Sequence, residues 1–489
     1  MTKHYFSRRL NRRTALKGAT AAAVATSVAT GMVPKPARAL NEADVIVIGA
    51  GLAGLGAAHA LEDEGYSVQV IEGRERIGGR LLSLSNIPGN PEAGGNGIAA
   101  GYGRIIDAAE RFGVKLNNIM DRAPFILKRN IFLDGKYVSM KDWPDHPRNV
   151  MKGPFREMPP WAFVPLYIIQ NKPLESYEDW YDPKSAPLDV SLHQWFLSQG
   201  VSEAEINLAY NINSDFGSSS HAVSALMLMF VYAWGMMQRG IEPRGTYAAE
   251  GGNQRIPEAM AARLKNDVHM GRKVVGISSD DGGAQVHCAD GTIYRGKRVV
   301  CSVPFSVLRT INMEPALTGV QARAVQTLGA QLLTQTHIVA KKPFWEDDGI
   351  SEGMFCDNIL GSVMGQHFGD KPEDVTSITC WHRGWKARKV DQLPEEDAKR
   401  MIVQAFEETR PASKGKIEVA GFKSWHNDPF SSGDWAVWKP GQISSFINQM
   451  AEPHHRIHFC GEHTAKSNRG MEGAMESAER VALEVFDAI

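Results

Sequence analysis

Two β-branched apolar runs lie near the start of the chain, Asp44 to Ile48 and Ser67 to Ile71, with the Ala- and Leu-rich stretch Leu55 to Leu61 between them. Continuous apolar runs of this length fit strands covered on both faces, and the stretch between has good helix propensity. The pattern predicts strand, helix, strand, with Gly65 ending the helix. Further along, Leu188 to Leu197 and Glu203 to Tyr210 have helical patterning. Ala225 to Met237 is apolar all round, which predicts a buried, Met-rich helix with one face available to line a cavity. Met151 to Asp189, rich in Pro, Trp and Tyr, predicts a long surface or entrance loop.

Glycines punctuate the first strand-to-helix turn at Gly49, Gly51 and Gly54. Gly49 allows the tight turn, Gly51 lets the backbone approach a pyrophosphate, and Gly54 permits close packing of helix on sheet. Phosphates would then sit at a helix N-terminus, where free N–H groups and the dipole favour anions. Glu72 follows the second strand, where a carboxylate can accept both ribose hydroxyls of an adenosine. Strand, glycine triplet, helix, strand and acid in this order define a dinucleotide-binding unit, without separating NAD from FAD.

The residues after Glu72 make that separation. Gly73-Arg74-Glu75-Arg76-Ile77-Gly78-Gly79-Arg80 resembles the stretch after the ribose-binding acid in flavin amine oxidases and their relatives. Glu92 to Ile98, Glu250 to Met260, Val274, Val299 to Pro304, Pro343-Phe344-Trp345, Trp425 to Gly433, Gly461-Glu462-His463-Thr464 and Met471-Glu472-Gly473-Ala474 are similar to further motifs of that family. The likeness runs from residue 44 to the end and is poor only between about 125 and 245.

The resemblance implies an α/β fold: a Rossmann-like FAD-binding domain with an inserted α+β substrate domain. The FAD domain would be discontinuous, 44–120, 246–310 and 429–489, and the substrate domain 121–245 with 311–428. By the same resemblance non-covalent FAD would be held by Gly49, Gly51, Leu52, Ala53, Gly54, Glu72, Gly73, Arg74, Gly79, Arg80, Gly94, Gly95, Asn96, Val274, Gly461, Glu462, Gly470, Met471 and Ala474.

The implied chemistry is hydride transfer from the α-carbon of a deprotonated amine to the flavin, giving an imine and then an aldehyde or ketone. Two flavin-proximal positions depart from the family. An ungapped count back from Pro343 places Gln335 where a lysine usually sits near the flavin, and loss of that charge weakens the expectation of fast reaction with oxygen. Trp435 supplies one side of an aromatic pair flanking the amine, but Gly470 replaces the tyrosine on the other, leaving room for a bulky or aromatic amine. Asp434 stands where some members carry a flavin-bonded cysteine. The arginine that holds a carboxylate in amino-acid oxidases falls at Gly97, so an amine is favoured over an α-amino acid, with Arg104 the nearest substitute. His454, His455, His458 and His463 form no complete metal set, and no metal is expected.

Arg12-Arg13-Thr-Ala-Leu16-Lys17, the apolar stretch Ala19 to Val33 and Ala37-Arg-Ala39 look like a twin-arginine export signal over residues 1–39. The apolar stretch is shorter than the roughly 20 residues needed to span a bilayer. A periplasmic enzyme beginning near Leu40, with its flavin inserted before export, is the expectation. With 489 residues, 43% hydrophobic and net charge −1, the chain suits two large domains and offers no basic patch for nucleic acid. Five scattered cysteines imply no disulfide framework. Expected partners are a small-molecule amine and either oxygen or a periplasmic cytochrome or quinone-linked acceptor; a homodimer is left open. An amino-acid oxidase, a desaturase or protoporphyrinogen-type oxidase, and a non-enzymatic FAD-binding protein are the alternatives.

Overall fold

The computed structural model describes residues 41–242 and 245–489; the twin-arginine segment lies outside the described residues. The first apolar run forms the strand Glu42–Ile48, the glycine turn opens the helix Leu52–Asp63, and the second run ends in the strand Val68–Ile71. Both belong to a seven-stranded sheet, Glu42–Ile48 in its interior and Val68–Ile71 at one edge. Its order is Asn312–Glu314, Val274–Asp280, Gly283–Cys288, Ile293–Cys301, Glu42–Ile48 and Val68–Ile71, with Ile457–Phe459 pairing with Ile293–Cys301.

Glu42–Ile48 is parallel to both neighbours, so that Ile48 lies opposite Ile71 on one side and Cys301 on the other. Ile457–Phe459 is parallel to Ile293–Cys301, with Phe459 opposite Cys301. Four strands therefore finish at one edge, the side on which parallel sheets bind ligands. The C-terminal helix Gly470–Ala488 closes over this edge and packs on Leu52–Asp63. Gly56 makes the approach close: a Cβ there would lie 2.9 Å from that of Ala478.

A second seven-stranded sheet runs in the order Ile417–Ser424, Leu333–Ala340, Ser377–Arg383, Ser362–Gln366, Met354–Cys356, Asn130–Leu133, Lys136–Val138. All its pairs are antiparallel except Met354–Cys356 with Asn130–Leu133. Both expected insertions thus contribute strands to one sheet. One boundary shifts: Asn312–Glu314 pairs with Val274–Asp280 in the first sheet, so the cofactor part of the chain runs past residue 310.

Helix Ala225–Ile241 is buried continuously from Ala225 to Val231. Met151–Asp189 is not the loop its composition predicts. It contains the helix Phe163–Asn171 and several 3-10 turns, and it buries Phe163 and Trp180. Its rings are the reason, since aromatic side chains carry too much apolar area to stay in water: Trp180 stacks on Phe230 at 4.3 Å and Phe163 meets Phe196 at 5.6 Å.

Candidate active site

The edge where the four strands end opens into a cavity of about 530 Å³. At its floor Gly49 turns the chain at φ +106°, where a Cβ would meet Ser302 Oγ at 2.4 Å. Among the described residues no side chain caps the N–H groups that open Leu52–Asp63, which leaves them for an anion. Arg74 and Arg80 line the same cavity. Gly51 and Gly79 let two backbones pass closely, since a Cβ on Gly79 would lie 3.3 Å from Gly51 Cα. Glu72 is buried, with Oε2 accepting from Ala50 N and Oε1 from Arg74 N, each at 2.9 Å. A carboxylate accepts in about four directions, so two remain for ribose hydroxyls. The residues present fit an adenine dinucleotide.

The C-terminal motif enters from the strand Ile457–Phe459. Gly461 takes φ +129° against the His463 ring, which would lie 2.5 Å from an added Cβ. Burial pushes His463 down to about 4, and its ring nitrogens have no partner among the described residues, so it packs here as a neutral ring. Glu462 Oε1 accepts from Arg80 Nη1 at 2.8 Å and from Ala436 N at 2.9 Å. Burial works against its charge, but Arg80 beside it holds the carboxyl below the usual range. Asp434 is different: burial pushes it up to about 7.

Gly49, Gly51, Leu52, Ala53, Glu72, Gly73, Arg74, Gly79, Arg80, Gly95, Val274, Gly461, Glu462, Gly470, Met471 and Ala474 all line the cavity. Gly54, Gly94 and Asn96 do not. The first two set backbone spacing instead: a Cβ on Gly54 would lie 2.0 Å from Gly49 O, and one on Gly94 would lie 2.0 Å from Arg80 O. Asn96 is exposed. The structure adds Ser302, Val303 and Pro304, which follow the strand Ile293–Cys301, and Phe430 to Ser432. Their signal was present in the motifs around them, but only the sheet shows that Ser302 shares the edge with Gly49.

At the substrate end Trp435 and Gly470 line one cavity. Phe216 meets Trp435 edge-on at 5.7 Å, and the Arg383 guanidinium lies 5.9 Å from the Trp435 ring centre. Gly470 holds φ +57°, and a Cβ there would meet no described atom within 4 Å. Gln335 is not at the cavity. It is fully buried in Leu333–Ala340, opposite Trp381 and Lys423, and its amide finds no partner among the described residues. Leu333, two residues earlier on the same strand face, packs with Trp381, Trp425 and Trp435. The pairing irregularity at His337 and Ile338 passes over Ala420 on the neighbouring strand, so Leu333–Ala340 itself runs without interruption. Arg104 is also committed elsewhere, to Glu472 at 3.0 Å and Glu479 at 2.8 Å. Among the described residues no group of three or more His, Cys, Asp or Glu is placed to hold a metal ion.

A dinucleotide crevice completed by both ends of the chain, with Trp435 and Gly470 on the same cavity, fits an FAD-dependent oxidoreductase. The chain belongs to the flavin-containing amine oxidoreductase family, whose model matches residues 52–486. It is similar to the flavin-containing amine oxidase of Danio rerio, 26% identical over 472 residues, covering 92% of this chain and 87% of that one. Flavin-containing amine oxidase B of Homo sapiens is 24% identical over 475 residues with the same coverage. Putrescine oxidase bound to putrescine superposes with a TM-score of 0.72 at 22% identity, over 91% of this chain and 99% of that one. Cyclohexylamine oxidase from Brevibacterium oxydans does so with a TM-score of 0.72 at 18% identity, over the same shares. FAD is the cofactor, and the protein is an oxidoreductase acting on amines.

Proposed function

We propose that the substrate is a bulky or aromatic amine, primary or secondary, and that the enzyme works in the periplasm. The observation that carries this reading is the pairing of Trp435 with Gly470 on one cavity: a flat indole wall and, at Gly470, space that no side chain fills. Bound FAD supplies the acceptor for a hydride from the amine's α-carbon, leaving an imine that water hydrolyses. Trp435 presents its ring to the substrate, and Phe216 holds that ring edge-on. Slim alkyl amines leave part of this space to water, and bulky ones exclude it. Asp434 offers no thiol for a flavin bond, which supports non-covalent FAD.

Leu333 belongs to the apolar cluster against which Trp435 packs. Lys423 on the same sheet is tied to Asp428 at 2.6 Å and lies 4.4 Å over Trp425. This arrangement supports slow reaction with oxygen and transfer of electrons to a cytochrome or quinone-linked carrier. Arg12-Arg13 and the apolar stretch after it support export, and among the described residues no helix is long and apolar enough to cross a membrane. The test is anaerobic bleaching of the yellow protein with matched primary, secondary and aromatic amines. Bulky and aromatic amines should bleach it at the lowest concentrations; equal or better bleaching by slim alkyl amines overturns the substrate class.

A further inference from the structure

Arg383, whose guanidinium lies 5.9 Å from the Trp435 ring centre, also lines a small cavity of about 20 Å³ together with Arg129, Asp215 and Ser362, among others. The donors of this cavity outnumber its acceptors. Arg383 pairs with Asp215 at 2.6 Å, but that carboxylate is 49% exposed and reaches toward water. Arg129 donates only to Ser362 Oγ, at 3.3 Å, and no described carboxylate pairs with it. Arg129 Nε and Arg383 Nε at this cavity, and the indole N–H groups of Trp381 and Trp435, the two rings that Arg383 faces at 4.8 and 5.9 Å, find no acceptor among the described residues. A third guanidinium, Arg469, sits 5.0 Å over Phe216, the ring that braces Trp435, and also has no ion-pair partner among the described residues. Buried donors without acceptors are rare in native structures and point to a ligand that brings the acceptors.

Resting on the amine-oxidation reading, we propose that Arg383, with Arg129 and Arg469, forms an anion subsite beside the amine wall, selecting amines that also carry a carboxylate. Such a substrate presents its amine and α-carbon at Trp435 and its carboxylate to the guanidinium groups, satisfying donors that a neutral amine leaves unpaired. A diamine would bring a second cation to a region already cationic. The subsite is distinct from the carboxylate anchor expected near Gly97, where a Cβ would meet no described atom within 4 Å.

The experiment compares benzylamine with 4-(aminomethyl)benzoate, and butylamine with 4-aminobutyrate and putrescine, by anaerobic flavin bleaching of the holoenzyme. Binding of benzoate, which has no amine to oxidise, is followed separately by tryptophan fluorescence and calorimetry. In each set the carboxylate-bearing amine should half-saturate reduction at a concentration about tenfold or more lower, as expected for charge-assisted hydrogen bonds. Arg383→Gln should remove the preference, and Arg383→Lys should restore part of it. Arg469→Gln should reduce it. Equal half-saturation within each set, preference for putrescine, or a preference that survives Arg383→Gln and Arg469→Gln overturns the subsite. If benzoate binds through Arg383 and no amine bleaches the flavin, the subsite stands and amine oxidation fails. If amines bleach the flavin and benzoate does not bind, amine oxidation stands and the subsite fails.

Discussion

Arg80 and Glu462, 382 residues apart in sequence, meet at 2.8 Å, and Arg80 also donates to the main-chain oxygen of Asp434 at 2.5 Å. One guanidinium therefore ties the first cofactor motif to the last and to the strand-end that carries Trp435. The pair is largely shielded from water, so removing one partner leaves a charge without compensation. Arg80→Ala should destabilise the protein by about 3 kcal/mol, read as a lower midpoint in urea, and should weaken FAD retention in parallel. Unchanged stability would show that the two halves of the site are held together elsewhere.

Glu72→Ala should release FAD while leaving a folded apoprotein, because each charge-assisted bond to ribose contributes about 1.5 to 3 kcal/mol. Acid precipitation of the natural protein should leave a colourless pellet. Full flavin content in the variant contradicts the role of Glu72; a yellow pellet contradicts non-covalent FAD.

Trp435→Ala should raise the barrier to flavin reduction by about 1 to 3 kcal/mol with FAD still bound, since it removes the wall that orients the amine and none of the dinucleotide contacts. Gly470→Tyr should shift preference toward slim amines. Its φ of +57° adds roughly 1 kcal/mol of backbone strain, so the thermal midpoint is measured alongside. Unaltered amine preference in both variants contradicts the open wall.

Stability should fall between about pH 4.5 and pH 7 through Glu92. Burial pushes its carboxyl up to about 7, although Ser83 Oγ and Asn253 N donate to it. The folded state keeps this proton after the unfolded chain has lost it, so each rise in pH across that window favours unfolding, by about 3 kcal/mol at most in total. Glu92→Gln should flatten that part of the urea-stability profile. A variant whose profile keeps the natural slope shows that other groups set it.

Reduced enzyme mixed with air-saturated buffer should reoxidise more slowly than amine reduces it, and Leu333→Lys, which places a cation beside Trp435, should speed oxygen reoxidation by about tenfold or more. Gln335→Lys, away from the cavity, should not. Stopped-flow traces with oxygen and with an oxidised c-type cytochrome decide this, and fast natural reoxidation by oxygen restores a peroxide-producing oxidase.

The nucleotide turn was legible in the sequence because everything it needs is local: a strand, three glycines and an acid within about thirty residues. The Arg80–Glu462 junction was legible only as two motifs, since pairing of Ile457–Phe459 with Ile293–Cys301 brings them together. The sequence count that picks out Gln335 carries no sign of its burial opposite Trp381 and Lys423, which the pairing of Leu333–Ala340 with its two neighbours sets. Phe216 and Arg383 gave no signal at all. They lie in different insertions and reach Trp435 only through the second sheet and the loops around it. Asn312–Glu314 is too short to show a period, so its sheet could not be assigned from sequence.

The last parallel strand of the cofactor sheet in chain order, Ile457–Phe459, is made hundreds of residues after the first. A nascent chain can complete the turn at Gly49 and the acid at Glu72 hundreds of residues before it owns Glu462 or the helix that closes the crevice. Capture of the flavin therefore has to wait for Glu462 and the helix Gly470–Ala488. The yellow colour of a preparation is then a direct assay of chains that carry this segment, and a chain stopped before Ile457 should be synthesised colourless.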